Sequence, residues 1–295
     1  MKFSCLLGIT AVVVGLSTAG PRSLDAQDNP AYDPVQDRVP GAAGDLMLRN
    51  LQPSGQPVIP LFDGWFRNPD DTVELCFGYH NLNTVENVQI PFGADNFIAP
   101  ARFDGVQPTH FDQVPGVYRR RFCVFTVRLD DLADAPDVVW TLRVDGRSYT
   151  VPGSSSQHYR MDEILQSSRG NSAPLVRFDD EGHRGRATKM DGETVNATVG
   201  ETLTLSATVS DPEETPLGTT RVLWTKHQGP GSVTFNEEEA EVVERSDTFY
   251  HTILAAFDEP GDYVLRVQVV DWDLGNAFGF HCCWTNRYVN VTVSP

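Results

Sequence analysis

Four carboxylates follow two strand-like segments in the last third of the chain, and their type and spacing suit a hard cation. Asp211 and Glu213 come directly after one of these segments. Asp271 and Asp273 come after the other. If both connections lie at one end of a β-sandwich, the four side chains converge and offer the oxygen ligands that Ca²⁺ prefers. Solvated turn acids are the commoner origin of such a pattern in an acidic chain, so calcium is a hypothesis and no other cofactor is expected.

A histidine between two carboxylates is the second group that could do chemistry. His110 lies between Asp104 and Asp112 in the long Pro-containing stretch 92–115. Such a cluster could exchange protons in a hydrolase. The chain contains no GxSxG elbow, HExxH helix, phosphate-binding glycine loop or SxxK motif. Polar loops bring His and Asp together by chance, so the sequence predicts a non-catalytic protein and leaves a hydrolase around His110 as an alternative.

Aromatic side chains suggest a binding site of another kind. β-Sandwiches that bind carbohydrate present flat aromatic faces, and Trp65, Phe97 and His110 are the candidates for such a ligand site. A structureless loop as long as residues 92–115 is unusual in a compact domain and is often functional. A carbohydrate- or polymer-binding module that uses this loop and Trp65 is therefore a further alternative.

Four of the five cysteines lie beyond the amino-terminal segment. An even number in an exported chain indicates disulfides. Cys76 and Cys123 both lie in strand-like segments, so a bridge between them is the leading pairing, with two buried free thiols as the alternative. Cys282 and Cys283 are adjacent, and they can form a vicinal disulfide, stay reduced or pair with other chains.

The amino terminus predicts export of the protein, and the net charge limits its partners. Residues 1–19 start with Lys2, continue with a short apolar run and end in small residues, which is typical of a signal peptide cleaved after Ala19 or as late as Ala26. A formal net charge of −17 makes nucleic acid and anionic membrane surfaces poor partners. No other apolar stretch is long enough for a membrane-spanning helix. We expect a secreted, periplasmic or cell-surface protein with no membrane span in the mature chain.

Period-two alternation of apolar residues predicts the strands that would hold these groups. In the first half Trp140 shares a face with Val138 and Leu142, and in the second half Trp224 follows Val222 at the same spacing. Both indoles are expected to be buried anchors. The strands predicted for the first half are Val58–Trp65, Thr72–Tyr79, Glu86–Pro91, Gly116–Val127, Val138–Val144 and Arg147–Val151.

Three segments of the second half carry a resemblance to a known family. They are Glu201–Asp211 (ETLTLSATVSD), Leu223–Phe235 (LWTKHQGPGSVTF) and Phe257–Asp271 (FDEPGDYVLRVQVVD). Together they resemble successive strands of a PKD-type immunoglobulin-like domain over residues 171–295. The Trp-Asp-Phe-Gly-Asp-Gly string of the narrower PKD pattern is absent, so the resemblance is to the wider immunoglobulin-like group. It implies an extracellular module for spacing, adhesion or binding without catalytic residues. Residues 55–152 resemble no family.

The sequence therefore predicts an all-β protein of two consecutive immunoglobulin-like β-sandwiches, residues 55–152 and 174–295. The signal peptide and a disordered leader, residues 27–54, precede them, and a linker with a short helix, residues 153–173, joins them. The predicted function is that of an exported, non-catalytic structural, adhesive or binding protein of the cell envelope. Its expected partner is an envelope polysaccharide or another surface protein.

Overall fold

Eighteen strands and three short 3₁₀ helices make up the part of the chain that the computed structural model describes, residues 52–114, 120–161, 172–178, 181–192, 194–211, 220–242, 248–271 and 283–295. The first eight strands are β1 Val58–Arg67, β2 Val73–Asn81, β3 Val88–Gln89, β4 Asn96–Ala99, β5 His110–Phe111, β6 Arg120–Leu129, β7 Val139–Val144 and β8 Arg147–Pro152. The other ten are β9 Leu175–Arg177, β10 His183–Arg184, β11 Thr194–Thr198, β12 Thr202–Ser210, β13 Thr220–Gln228, β14 Val233–Phe235, β15 Glu239–Val242, β16 Thr248–Phe257, β17 Gly261–Asp271 and β18 Trp284–Ser294. The 3₁₀ helices are Ala101–Phe103, Leu132–Asp137 and Gln157–Tyr159.

These strands form four sheets and one two-stranded ribbon. Sheet I has the order β1-β2-β6 and sheet II the order β4-β7-β8. Sheet III has the order β11-β18-β17-β13-β15, sheet IV the order β10-β9-β12-β16-β14, and the ribbon pairs β3 with β5. Among the strand pairs of the described residues, β11 and β18 alone run parallel. The protein is all-β, as the alternation predicts.

Sheets I and II enclose the first hydrophobic core. Leu75 and Phe77 of β2 and Phe125 of β6 point towards Trp140 of β7, and all four are fully buried. The Trp140 ring meets the Phe125 ring edge-on, with centroids 4.9 Å apart. Its indole Nε1 donates to Asn96 Oδ1 at 3.1 Å, so the one polar atom of the ring is satisfied inside the core.

Sheets III and IV enclose the second core. Leu265 of β17 and Trp224 of β13 pack against Val209 of β12 and Ile253 of β16. Trp224 is 1% exposed, and its Nε1 donates to His251 Nδ1 at 3.3 Å. Both tryptophans are therefore the buried anchors that their strand positions predict. Residues Leu51–Pro295, which contain both cores, form one compact unit.

Sheet I contains a bulge beside the disulfide, and one of the two cysteines has an unusual backbone conformation. The β1–β2 register shifts between Phe62 and Gly64, which turns Asp63 into the protein. Asp63 accepts from the guanidinium of Arg120 and, at 2.6 Å, from the main-chain N–H of Cys123, a residue with φ of +43°. Burial raises the pKa of Asp63 to about 6, although the charge of Arg120 and these hydrogen bonds act to lower it.

The stretch 92–115 is not the structureless loop that its composition predicts. Strand β4, the first 3₁₀ helix and strand β5 all lie within its described part, residues 92–114. The buried amide of Asn96 donates to Ile90 O at 2.9 Å and to Pro108 O at 2.7 Å. The Asn96 side chain thus joins β4 to the segments that precede and follow it in the chain. The local composition of residues 92–115 could not predict these contacts.

The predicted ends of the domains fall partly on the described residues. The carbonyls of Gln52 and Pro53 accept hydrogen bonds from Thr84 and Val85, so paired backbone begins before the predicted start at residue 55. The predicted signal peptide, the leader up to residue 51 and the predicted helix from residue 162 onward lie outside the described residues. Within the described ranges, no helix is both long and apolar enough to cross a bilayer.

Replacement of either anchor should leave a large cavity. We expect Trp140→Ala and Trp224→Ala each to lower the free energy of unfolding by about 3–5 kcal/mol. Val85→Ala, at a side chain that is 70% exposed, is the control and should change stability by less than about 0.5 kcal/mol. Urea unfolding followed by far-UV circular dichroism measures all three. A loss below about 1 kcal/mol for either tryptophan would contradict its role as an anchor.

Candidate functional site

The two sandwiches meet through the outer faces of sheets I and III. In β18, Val289 points into the second core, whereas its neighbours Asn286 and Tyr288 point the other way. Asn286 Nδ2 donates to Cys123 O, and Tyr288 Oη donates to Val124 O, both at 2.8 Å and both buried. We call this interface the seam; it joins residues 105–110 and 123–126 of the first half to residues 186–188, 227–229 and 284–288 of the second.

Hydroxyl groups and main-chain atoms extend the seam on the sheet I side. Thr126 N donates to Thr188 Oγ1 at 2.6 Å, and Thr188 N donates to Thr126 Oγ1 at 2.8 Å. The two threonines therefore satisfy each other's backbone across the interface. Such reciprocal pairing fixes the register of one half on the other, because a shift of either chain would break both bonds at once.

The 105–109 turn docks on β13 in the same manner. Thr109 N donates to His227 O at 2.9 Å, and Gln228 Nε2 donates to Gln107 O at 2.8 Å. The His227 ring nitrogen Nε2 lies 3.0 Å from Val106 O. Burial lowers the pKa of His227 to about 3, so the ring is neutral at physiological pH and donates this hydrogen bond through Nε2–H.

The apolar part of the seam contains the predicted disulfide. Cys76 and Cys123 are bonded, with Cα atoms 4.8 Å apart, which confirms the leading pairing. Beside them the guanidinium of Arg186 lies between two aromatic rings, 4.6 Å from the Phe66 centroid and 5.0 Å from the Trp284 centroid. Arg186 is 1% exposed, and cation–π contacts gain strength when they are desolvated.

The second predicted cysteine pair is only half described. Cys283 is buried and disulfide-bonded. Cys282, its predicted vicinal partner, lies outside the described residues. The vicinal bridge therefore stays a prediction.

His110 borders the seam as part of a buried polar cluster. Its Nε2 lies 3.1 Å from Asp112 Oδ1, and the main-chain N–H of Asp112 donates to Tyr79 Oη at 2.9 Å. Burial by itself would raise the pKa of Asp112, but the hydrogen bond from His110 and the positive charges of His110, Arg121 and Arg266 outweigh it. The pKa of this carboxyl is lowered as a result.

Asp104, the other carboxylate of the predicted acid–base cluster, has a different task. Its Oδ1 accepts from Ile98 N at 2.9 Å and from Gln107 Nε2 at 2.6 Å, and it holds the turn that docks on β13. None of Asp104, His110 and Asp112 lines either of the two clefts described below. Neither of these two clefts therefore contains the predicted acid–base cluster.

A groove of about 1070 Å³ opens where the two sandwiches meet, and we call it the seam groove. Its lining includes the Gly-Pro-Gly turn 229–231. Lys226 holds this turn by donating from Nζ to Gly229 O and Pro230 O, both at 3.3 Å, and to Gly231 O. Gly229 has φ of +125°, and a Cβ there would lie 2.5 Å from the Tyr263 ring, so only glycine fits. The lining also includes Gln89, Pro91 and Phe92 from the first half and Asp258, Glu259 and Asp262 from the second.

A smaller cleft of about 640 Å³ also has walls from both halves. Arg102 and Arg128 line it from the first half, and Arg184 and Lys189 from the second. Glu74, at 4% exposure, lines it as well, and burial raises the pKa of its carboxyl. The seam thus has a groove with three acidic side chains in its lining and a cleft rich in basic side chains.

Two of the predicted ligand residues are not displayed. Trp65 is 2% exposed, packs in the first core and donates from Nε1 to Ser156 O at 3.0 Å. Its neighbour Phe66 faces the seam, so β1 is buried on both sides, and Trp65 offers no ring to a ligand. This corrects the expected role of Trp65. Phe97 is half-buried beneath the guanidinium of Arg143, whereas Phe92 is 44% exposed.

The calcium hypothesis stays a prediction, because only two of its four carboxylates lie on described residues. Ser210, at the end of β12, pairs with Thr248 at the start of β16, and β17 begins where β16 ends. Asp211 and Asp271 therefore lie at the same end of the second sandwich. Glu213 and Asp273 are outside the described residues. Within the described ranges, no group of three or more His, Cys, Asp or Glu is placed to hold a metal.

Comparison with known proteins assigns no family. No protein-family model and no curated protein matches the chain. Among solved structures, the ASH/PapD-like domain 7 of human CEP192 matches 42% of this chain and 87% of its own, at 8% identity and a TM-score of 0.28. WR4, a C. elegans MSP family member, matches 34% and 92%, at 7% identity and a TM-score of 0.24. Titin A168169 matches 80% and 99%, at 14% identity and a TM-score of 0.23.

Acid should lower the free energy of unfolding by protonating His227. Its pKa is lowered in the folded state, so its contribution to stability is complete above the unfolded value of about 6.5 and is lost as the pH falls towards 3. Between pH 7 and pH 4 the wild type should lose roughly 3 kcal/mol more than His227→Gln, which keeps a donor but cannot be protonated. Urea unfolding at each pH gives the difference in free energy of unfolding between the two proteins. Other groups that titrate in this range, such as Asp63, contribute equally to both proteins and cancel in the difference. Parallel curves for the two proteins would contradict the assignment.

Calcium should stabilise the second sandwich if the four predicted carboxylates converge. Binding to the folded state alone would raise the melting temperature with calcium concentration. Thermal melts of the mature chain with calcium and with a chelator provide the test, with Asp211→Asn/Asp271→Asn as the matched variant. Coincident melts for the wild type would reduce these residues to acidic turns.

Proposed function

We propose that this chain is an exported, non-catalytic structural and binding protein of the cell envelope, in which two β-sandwiches act as one rigid body. The observation that carries the proposal is the seam. Asn286, Tyr288 and His227 bond main-chain oxygens of the other half and are buried there. A relative motion of the two sandwiches would leave these buried donors and acceptors without partners, which costs about 1–3 kcal/mol for each group. A rigid pair keeps its surfaces at a fixed distance and angle, as a spacer or a binding scaffold requires.

The chemistry of the polar side chains supports a structural role. Buried hydrogen bonds to the backbone contribute about 0.5–1.5 kcal/mol each and cost more when one partner is lost. The His110–Asp112 pair, which would be the centre of a hydrolase, is joined to Tyr79 and lines neither the seam groove nor the smaller cleft. The Cys76–Cys123 disulfide supports an oxidising compartment, in agreement with the signal-like amino terminus. The acidic groove and the basic-lined cleft give the scaffold two surfaces on which a partner could bind.

The rigidity of the pair can be tested at a single side chain. Asn286→Ala should leave Cys123 O without its donor, lower stability by about 1–3 kcal/mol and broaden the distance distribution in small-angle X-ray scattering. Asn236→Ala is the matched control, because Asn236 Oδ1 accepts from Leu254 N inside the second sandwich, at 2.7 Å and away from the seam. A wild type whose scattering already requires a range of relative orientations would overturn the rigid-body proposal.

The place of the protein can be tested by fractionation. In the organism that makes it, the mature chain should be found in the envelope or outside the cell, with its amino terminus at residue 20 or 27. Recovery from the cytoplasm with residues 1–19 intact would overturn the proposal of export.

A further inference from the structure

The outer side of sheet IV carries no charged residue on its two neighbouring strands β12 and β16. It displays every second residue of β12 from Thr202 to Ser210 and of β16 from Thr248 to Ala256. The five positions on β12 are all Thr or Ser, and those on β16 are Thr, Tyr, Thr, Leu and Ala. The intervening residues point into the second core. We call these ten positions the hydroxyl face.

The hydroxyl face is regular. Nine consecutive residue pairs join β12 to β16 without a register shift, whereas β1–β2, β2–β6 and β13–β17 each contain one. Hydroxyls pair across the strands, Ser206 with Thr252 at 2.9 Å and Ser210 with Thr248 at 3.1 Å. Strand geometry repeats these groups about 4.8 Å apart across the sheet and about 6.7 Å apart along it.

The lack of charge is unexpected for this chain. Seven of the ten positions are exposed, and Thr208, Ser210 and Ala256 are half-buried. Charged residues make up 21% of the sequence and about 25–35% of protein surfaces, so about two of the seven exposed positions should be charged. On this sheet, Arg177 of β9 borders the face, opposite Thr208 and 3.4 Å from Ser210 Oγ. Soluble proteins normally intersperse charged side chains over their surface, which opposes unwanted association, and β12 and β16 have none on their outer side. A surface left neutral on a chain of net charge −17 suits a partner that is itself uncharged.

Two apolar side chains project from this face. Tyr250 is 79% exposed and Leu254 is 40% exposed, and both lie on β16, four residues apart. Tyrosine combines a flat ring with a polar hydroxyl, a pairing used at binding surfaces because one end is apolar and the other wet. The ring of Tyr250 stands among hydroxyls, since Thr208 is its partner across the strands.

We propose that the hydroxyl face binds a neutral polysaccharide chain. Thr and Ser hydroxyls both donate and accept, so they match sugar hydroxyls without need of charge. The Tyr250 ring supplies a flat surface for the apolar face of a sugar ring. The inference rests on the proposed binding function and names its partner class. It also moves carbohydrate recognition from Trp65, which is buried, to a sheet on the outside of the second sandwich.

A second copy of the chain suits this face less well. Stable protein interfaces bury about 800 Å² on each partner and have a fully buried core rich in apolar and aromatic side chains. Of the ten positions, Tyr250, Leu254 and Ala256 are apolar, and the other seven are hydroxyls. A polysaccharide uses those hydroxyls, whereas a dimer would have to desolvate them.

The test is co-sedimentation and affinity electrophoresis of the mature protein with cellulose, chitin, starch and a β-1,3-glucan, and with polygalacturonate as the charged polymer. We expect the wild type to bind at least one neutral polymer. Tyr250→Ala and Thr252→Lys should each weaken that binding by about tenfold or more, the size of one lost aromatic contact. Thr150→Lys is the matched control, because Thr150 is an exposed strand residue on sheet II that also faces a threonine hydroxyl, Thr141, at 3.5 Å; its affinity should stay within about twofold of the wild type.

Four outcomes would overturn the inference. The first is no binding to any neutral polymer, and the second is binding to polygalacturonate alone. The third is an unchanged affinity in both Tyr250→Ala and Thr252→Lys. The fourth is a loss of affinity in Phe92→Ala while Tyr250→Ala binds like the wild type, because that result would assign binding to the seam groove. Sedimentation velocity adds a fifth, because a wild-type dimer that Thr252→Lys dissociates would make a second copy the occupant. Circular dichroism confirms that each variant is folded. A chain that is found in the envelope but binds no neutral polymer would leave the proposed function standing and remove this inference.

Discussion

Burial of the outer faces of sheets I and III against each other is the constraint on which the rest of the structure depends. Where they meet, side chains such as Arg266, Asn286 and Tyr288 are buried, and their polar groups lose most of their contact with bulk water. Buried donors and acceptors must therefore find partners inside the protein. Asn286, Tyr288 and His227 meet this requirement by bonding main-chain oxygens of the other sandwich. The neutral state of His227 follows from the same burial, since a charged ring there would lose its hydration.

The seam also accounts for the irregular backbone of sheet I. Regular strands would not bring the disulfide, the buried Asp63 carboxylate and the Asn286 amide to one point. The bulge between Phe62 and Gly64 turns Asp63 inward, where it binds the N–H of Cys123, while Asn286 binds the carbonyl of that same residue. Gly78 completes the arrangement, because a Cβ there would lie 2.3 Å from both Asp63 Oδ2 and Arg121 O. Bulges beside functional or interface regions often redirect side chains in this way.

The two sheets of the second sandwich show how one sequence pattern can serve two purposes. In both, every second residue points into the common core. The other residues differ in kind: sheet III turns Arg266, Asn286 and Tyr288 into the seam, and sheet IV turns hydroxyls and Tyr250 to the solvent. The first set joins the sandwiches into a body, and the second leaves a neutral surface on the outside of that body. The seam and the hydroxyl face are thus the two sides of one sandwich.

The sequence by itself determined the features that depend on neighbours along the chain. Alternation located most strands of the first half within a few residues and identified Trp140 and Trp224 as anchors, because the side chains of a strand must alternate whatever covers them. Strand placement and an even cysteine number were enough for the Cys76–Cys123 bridge. Only the tertiary structure decided which strand faces on the outer sides of the sheets are covered by another sheet. Alternation gives a strand two faces, but it does not say whether the outer face meets water or another sheet. That choice depends on contacts between residues far apart in the chain. Four features arise in this way: the burial of β1 on both sides, the hydrogen bonds of Asn96 within residues 90–108, the seam and the exposed hydroxyl face.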